Sequence, residues 1–461
     1  MSASVHMPWP RVFSGRRYAV VGLGRNGLPA ARTLLELGAD VTVWDDNETA
    51  RRAAAGMDVR EPEFDGLDAL VLSPGIPHRP PRAHPLAARA IAAGVPILSD
   101  ADLLYQAVRA AASAARFVGI TGTNGKSTTT ALVAHILETA GIGVAAGGNL
   151  GTASLALPLL PPDAVYVLEM SSYMLERLAT LRFCAATMLN LSPDHLDRHG
   201  NMAGYTLAKR AIFSRQQDDD VAVVGMDDPD SRLLAESLPR RVTTISALGP
   251  ADYWARGSVL YAGSEVITDL SGALALPGAH NAQNAAAAAA LSDALGVPRS
   301  ALIDGLRTYP GLPHRQEVVG TIGGVTFVND SKATNADSTA RALACYDRVI
   351  WIAGGTAKAG GIASLAPFFS RVAHAFLIGR DAPLLAPDMA AHGVRFDDVG
   401  TLETAVGAAW DLARSGAAPV VLLSPACASW DQFTGFDQRG DRFRALVHEI
   451  TAQARVNARA N

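Results

Sequence analysis

Gly122-Thr123-Asn124-Gly125-Lys126-Ser127 stands between the apolar run Phe117-Val118-Gly119-Ile120-Thr121 and a helix-forming run over residues 128–137. Strand, glycine loop, Lys-Ser and helix is the layout that cradles a nucleotide triphosphate. Loop N–H groups and the positive helix end face the phosphates, Lys126 reaches the outer ones, and the Ser127 hydroxyl can hold Mg²⁺. The spacing departs from the standard pattern, which would place glycine where this chain has Ile120. A strand-to-helix turn with a lysine by chance is the competing reading, and an ATP site the favoured one.

Upstream, residues 18–21, 41–44, 69–72 and 95–98 read as strands between helical patterns, which implies a parallel sheet with covering helices. The first turn carries Gly22-Leu23-Gly24-Arg25-Asn26-Gly27, and Asp45-Asp46 follow the next strand. G-x-G-x-x-G followed by an acid reads as a pyrophosphate-binding turn with a ribose partner. NAD is one such ligand, another nucleotide is a second, and a tight turn that binds nothing is a third. Ser73-Pro74-Gly75-Ile76-Pro77 closes a further strand at the same expected edge. Residues 110–115, almost all alanine, read as a linker or helix end.

Downstream of the loop, Glu169 ends a buried strand at 165–168, where a carboxylate can reach a metal held by a neighbouring phosphate loop. A strand over 185–191 leads into Ser192-Pro193-Asp194-His195-Leu196-Asp197-Arg198-His199. Lys209 reads by composition as a solvent-facing lysine on a helix starting near Met202. His280-Asn281-Ala282-Gln283-Asn284 opens an alanine-rich helix, with Asn281 either a hydrogen-bonding site residue or a simple N-cap. Gly311-Leu312-Pro313-His314-Arg315 reads as a junction after a helix at 299–307. Strands at 325–328, 349–352, 375–378 and 420–423 then end in the loops 329–335, 354–358 and 424–429, three polar or glycine-rich loops on one edge.

A length of 461 residues suggests roughly two to four domains. Net charge −4, with no basic run longer than two residues, gives a nucleic-acid partner little electrostatic support. The acidic cluster Asp218-Asp219-Asp220 reads as a solvated loop. Cys184, Cys345 and Cys427 are too scattered for a disulfide framework or a zinc site, which fits a reducing cytosol. No apolar stretch is long enough for a membrane span, and residues 18–21 read as a first strand instead of a signal peptide.

Taken together, these motifs resemble the Mur ligases of peptidoglycan synthesis over nearly the whole chain, from Gly22 to Arg442. The resemblance rests on the loop at 122–127, Gly148-Asn149-Leu150-Gly151, Glu169-Met170-Ser171-Ser172, Asp194-His195, Ala208-Lys209, His280-Asn281, residues 311–315 and residues 329–335. The tail Ser424-Pro425-Ala426-Cys427-Ala428-Ser429-Trp430-Asp431-Gln432-Phe433, with Phe436 and Arg439-Gly440, resembles the D-glutamate-adding branch and lacks the Asp-Asn-Pro-Arg of the third-residue-adding one.

The resemblance implies three α/β domains: a Rossmann-like UDP-binding sheet (1–112), a P-loop-type ATPase domain (113–313) and a Rossmann-like domain for the amino acid (314–461). It implies an acyl-phosphate route in which ATP activates the carboxylate of UDP-N-acetylmuramoyl-L-alanine for attack by D-glutamate. Lys126, Glu169, His195 and Lys209 would be catalytic. ATP would meet Gly122, Thr123, Asn124, Gly125, Lys126, Ser127, Thr128, Asn281, Asn284, Arg315, Asp330 and Lys332. The UDP substrate would meet Arg25, Asn26, Asp46, Asn47, Ser73, Pro74, Gly75, Asn149 and His195. D-glutamate would meet Thr334, Lys358, Ser429 and Phe436. Ser127, Glu169, His195 and a carbamylated Lys209 would hold two Mg²⁺ ions, or Mn²⁺ in their place. The family also implies a cytoplasmic monomer with small-molecule partners, no nucleic acid and no membrane insertion. One departure stands out: Ala359-Gly360-Gly361-Ile362 follows Lys358 without the acid often found there. Another amino-acid-adding Mur ligase is the alternative within the family; an NAD-dependent oxidoreductase built on Gly22–Gly27 is the rival outside it, and it leaves the 122–127 loop without a purpose.

Overall fold

The computed structural model describes residues 8–80, 82–149, 151–273, 275–358 and 360–460, with side chains described to residue 454. Leu150 and Ala359, quoted above, lie outside the described residues. Three sheets organise the chain, and it divides into two bodies. The first runs to Gly272 and takes in Asn281–Tyr309; the second comprises Ala273–His280 and everything from Pro310.

Within the first body lies a five-stranded parallel sheet in the order Asp58–Val59, Asp40–Trp44, Arg17–Val21, Ala69–Leu72, Ile97–Leu98. Chain order reverses between Arg17–Val21 and Ala69–Leu72, and Gly22 and Ser73 follow those two strands. Ligands of open α/β sheets bind at such a reversal. The strand expected over 95–98 is only Ile97–Leu98, because Pro96 has no N–H for the ladder and offers just its carbonyl, to Leu70.

A nine-stranded sheet follows, in the order Glu265–Asp269, Val259–Ala262, Tyr253–Arg256, Val242–Ser246, Val221–Gly225, Ala185–Met188, Arg116–Thr121, Val165–Glu169, Val144–Gly148. Its pairs are parallel except for the last two hairpins, at Tyr253–Asp269. The strand Arg116–Thr121 lies inside the sheet, between Ala185–Met188 and Val165–Glu169, with the helix Lys126–Thr139 after it, as the loop motif requires. One hydrophobic core runs through both sheets, from Val20 and Leu34 to Phe117, Leu168 and Phe183.

In the second body a six-stranded sheet runs Glu317–Ile322, Val325–Asn329, Val420–Leu423, Val349–Gly354, Val372–Ile378, Phe396–Gly400. Only its first pair is antiparallel. Val349–Gly354 is buried throughout, as a central parallel strand should be.

Three expectations need correction. Asp220 is buried, not solvated: its carboxylate takes Arg182 Nε at 2.6 Å and the Gln217 N–H at 2.7 Å, closing the turn before the next strand. Lys209 is 2% exposed, not solvent-facing. Asn281 is no N-cap, because the helix Ala279–Ala294 starts two residues earlier.

Candidate active site

Gly125 ends the phosphate loop at φ 83° and N-caps the helix Lys126–Thr139. A Cβ there would run into Asn284 Oδ1, so the loop and the alanine-rich helix meet at a position only glycine fills. Asn284 in turn accepts from the Thr129 hydroxyl at 3.2 Å and donates to Asn281 Oδ1 at 3.0 Å. The expected ATP contacts of the first body, residues 122–128 with Asn281 and Asn284, are therefore brought together. Lys126 Nζ donates to the carbonyls of Gly122 and Thr123 at 3.0 and 2.9 Å.

Glu169 lies directly beside the loop: in the ladder it pairs with Ile120 on one side and Gly148 on the other. The residue is 1% exposed, Oε1 accepts from Asn149 Nδ2 at 2.7 Å, and Oε2 is buried without a partner among the described residues. An orphaned, buried carboxylate oxygen at the mouth of a phosphate loop suits a hard cation. Lys209 sits close by, donating to Gly122 O at 2.8 Å and Thr121 Oγ1 at 3.2 Å. Burial, and then the charge of Lys126, hold its amine well below the usual lysine range. His195 is exposed at φ 52°, its ring 5.0 Å from Tyr173, and it pairs with Asp194 instead of Glu169 or Lys209 among the described residues. No three His, Cys, Asp or Glu side chains of the described residues form a ready-made metal cage. Mg²⁺ needs none, since it takes one or two carboxylates and fills its shell with phosphate and water.

A cavity of about 450 Å³ opens at the reversal of the first sheet. Arg25, Asn26, Asp46, Ser73, Pro74, Gly75 and Asn149 line it; Asn47 and His195 do not. Asn47 instead caps the helix Glu48–Ala53, accepting from the Thr49 N–H at 2.8 Å. Gly22, at φ 89°, packs so closely on Ser73 that a Cβ would stand 2.7 Å from the serine's own. Asp45 is fully engaged with the N–H groups of Leu23 (2.6 Å) and Asn47 (2.8 Å), so it braces the glycine turn. Asp46 pairs with His84 Nε2 at 3.0 Å, and that bond holds its carboxyl below the usual range.

In the second body, Asp330 accepts from Ser424 Oγ at 2.8 Å and the Gln316 N–H at 3.2 Å, and burial pushes its pKa up to about 7. Arg315 has a buried Nε without a partner among the described residues. Lys332 stands 5.6 Å over the Phe436 ring. Ser429 is buried, Phe436 half-buried, and Lys358 exposed. Beside Lys358, the Ala357 N–H donates to the Asp381 carboxylate at 2.9 Å. Arg439, 1% exposed, ties the three loops together through Ser331 O (2.9 Å), Gly354 O (3.4 Å) and Cys427 O (3.1 Å).

Sequence reasoning missed Asn190. Its side-chain amide mimics a strand neighbour, accepting the Asn124 N–H at 2.9 Å and donating to Asn124 O at 3.3 Å, which explains why the strand expected over 185–191 stops at Met188. An Asn just past an apolar strand was the available signal.

A strand, a glycine loop and a Lys-Ser helix beside an orphaned carboxylate define a nucleotide-dependent α/β enzyme of the P-loop type. Residues 120–292 match the Mur ligase middle domain, and residues 314–427 match the Mur ligase glutamate ligase domain. A Paramagnetospirillum magneticum protein named UDP-N-acetylmuramoylalanine–D-glutamate ligase is 50% identical, covering 95% of this chain and 97% of its own. Proteins of the same name from Caulobacter sp. and Rhizobium meliloti are 45% and 47% identical over 97% and 94% of this chain, and 99% and 96% of theirs. The solved UDP-N-acetylmuramate-alanine ligase of Thermotoga maritima shares the fold at TM-score 0.59 and 19% identity, over 95% of this chain and 99% of that one. The chain belongs to the Mur ligase family.

Proposed function

We propose that this chain is an ATP-dependent carbon–nitrogen ligase joining D-glutamate to UDP-N-acetylmuramoyl-L-alanine in peptidoglycan precursor synthesis. The observation that carries the reading is identity of 45–50%, over nearly the full length, to proteins named for that ligation. The domain assignment stays 1–112 for the UDP substrate, 113–313 for ATP and 314–461 for the amino acid. The setting is a cytoplasmic monomer; no helix among the described residues is long and apolar enough to cross a membrane.

ATP and Mg²⁺ dependence goes with the family. The cavity beside Ser73 and Arg25 takes the nucleotide, with the alanyl end toward Asn149. An alanyl carboxylate oxygen attacks the γ-phosphorus, and the bond to the bridging oxygen breaks to release ADP. The amine of D-glutamate then attacks the acyl carbon, loses a proton and expels phosphate. Anion attacks anion in the first step, so Lys126 offsets charge on the outer phosphates. Ser127 and Glu169 would hold one Mg²⁺, and Glu169, His195 and carbamylated Lys209 another; bound cations supply further charge neutralisation. Arg315, Asp330 and Lys332 are assigned to ATP, and Thr334, Lys358, Ser429 and Phe436 to D-glutamate.

Phosphate release from ATP with UDP-N-acetylmuramoyl-L-alanine, measured across amino acids, tests the reading. D-glutamate supports turnover; equal rates with L-glutamate, L-alanine or meso-diaminopimelate would overturn it.

A further inference from the structure

Glu176 and Arg177 have no role in the scheme above, yet both are charged and enclosed. Arg177 is 3% exposed and follows the short helix Ser172–Leu175, just beyond Glu169. Its guanidinium is wrapped by the loop after the strand Ala69–Leu72. Nη1 donates to Leu72 O at 2.6 Å and Ser73 O at 3.0 Å. Nη2 donates to Pro74 O at 3.4 Å and to Ile76 O, and Nε to His78 Nδ1 at 3.3 Å. The His78 ring can accept because burial and the nearby arginines lower its pKa to about 3, leaving it neutral. Five donors in a planar fork thus meet five acceptors on a single loop, a geometry that a lysine, with three donors at one point, does not reproduce. That loop is a wall of the nucleotide cavity, and its Ser73 hydroxyl donates to Gly22 O at 2.7 Å.

Glu176 faces chiefly the other site, although its Oε2 also lies 3.5 Å from His78 Nδ1, which Arg198 Nη2 meets at 3.4 Å. Its Oε2 takes Arg198 Nη2 at 3.2 Å and its Oε1 faces His199 Nδ1 at 3.0 Å, while His199 Nε2 meets Ser172 Oγ at 2.9 Å. Arg198 and His199 belong to the helical turn Leu196–His199, which His195 opens. We infer that Glu176 and Arg177 are paired positioning residues: Arg177 shapes the 73–76 wall of the nucleotide cavity, and Glu176 fixes the turn carrying His195. One dipeptide then sets the span between the held nucleotide and the carboxylate that reacts. The inference rests on the substrate assignment proposed above.

A purely structural role has a built-in comparison. Asp102 also bridges the two sheets of the first body, accepting the N–H groups of Ala179, Thr180 and Leu181 at 2.9, 2.8 and 2.9 Å, and its hydrogen bonds among the described residues do not include the 72–78 loop. Steady-state kinetics and UDP calorimetry on the full chain therefore compare Arg177→Lys, Glu176→Gln and Asp102→Asn. Arg177→Lys raises the precursor KM and weakens UDP binding by about tenfold or more, while the ATP KM moves less than about twofold. Glu176→Gln lowers kcat by about tenfold with a smaller change in precursor KM, since Glu176 holds the His195 turn through Arg198 and His199 and meets the 72–78 loop only at His78. Asp102→Asn lowers the melting temperature without either kinetic signature. Unchanged UDP affinity in folded Arg177→Lys, or the same KM change in Asp102→Asn, overturns the inference. Should Arg177→Lys not fold, Glu176→Gln decides, and a normal kcat there overturns it. If the wild-type chain does not turn over the precursor, the proposed function fails, and UDP binding to Arg177→Lys still decides the inference.

Discussion

Asn149 grips Glu169 twice: its backbone N–H donates to Glu169 O at 2.8 Å and its side-chain Nδ2 to Glu169 Oε1 at 2.7 Å. The same asparagine lines the cavity at the reversal of the first sheet. It therefore connects that cavity to the carboxylate beside the phosphate loop, and leaves Oε2 as the oxygen with no partner among the described residues.

Asn149→Leu keeps the backbone bond and removes the side-chain one. A hydrogen bond to a charged group contributes about 1.5–3 kcal/mol, so kcat/KM for the precursor should fall by roughly 10- to 100-fold. Initial rates of phosphate release measure this; a loss under twofold would show that Asn149 does not orient Glu169.

Gly125→Ala should damage ATP use selectively. The substitution places a side chain at φ 83° and drives it into Asn284. Left-handed backbone costs about 1–2 kcal/mol for a non-glycine residue, and displacing Asn284 adds to it. The ATP KM should rise about tenfold or more while UDP affinity holds. Equal loss of both would mean that the loop is not a separate ATP site.

The cavity of the first sheet should take UDP and refuse NAD. Asp45, where an NAD-binding acid would be sought, already accepts two backbone N–H groups. Calorimetry on the full chain checks it, and micromolar NAD binding with no response to UDP would reverse the assignment.

Asp330 predicts a pH slope in stability. Its pKa is raised from the ordinary 3.8 to about 7, so the native state keeps a proton that the unfolded chain has lost. Stability contributed by this group is full below the unfolded value, falls as pH rises from about 4 to 7, and is level above. Urea denaturation between pH 5 and 8 should therefore show a steeper decline for the wild type than for Asp330→Asn. Parallel curves would place the pKa of Asp330 back in the ordinary range.

Lys209 should carry a carbamate when active. Burial favours its neutral amine, the form that captures CO₂, and a carbamate would turn a cation beside the metal donors into an anion. Lys209→Ala should lose most activity and recover part of it with a short carboxylic acid. Near-normal turnover of the variant in CO₂-free buffer would rule this role out.

Much of the architecture was legible because it is local. Glycine, lysine and serine next to an apolar run specify the 122–127 turn by themselves, and the four-residue run 69–72 is a strand to the residue. The site was less legible wherever a side chain acts through tertiary neighbours. Lys209 looks like any helix lysine until the Thr121 and Gly122 strand end closes over it. Asn47 matched a substrate contact in the family pattern, while its oxygen serves the helix that follows. Arg177 carries no sequence signal, since four of its five acceptors are backbone carbonyls about a hundred residues away.

Asp102 and Arg177 reach across the same boundary in opposite directions, one from the first sheet and one from the second. A fragment ending at residue 112 would retain every strand of the first sheet. It would also expose a carboxylate with no turn to cap and a 72–78 loop with no guanidinium to curl around. Such a piece could fold and still present the wrong cavity, so ligand screening against the nucleotide pocket belongs on a chain that keeps the central sheet attached.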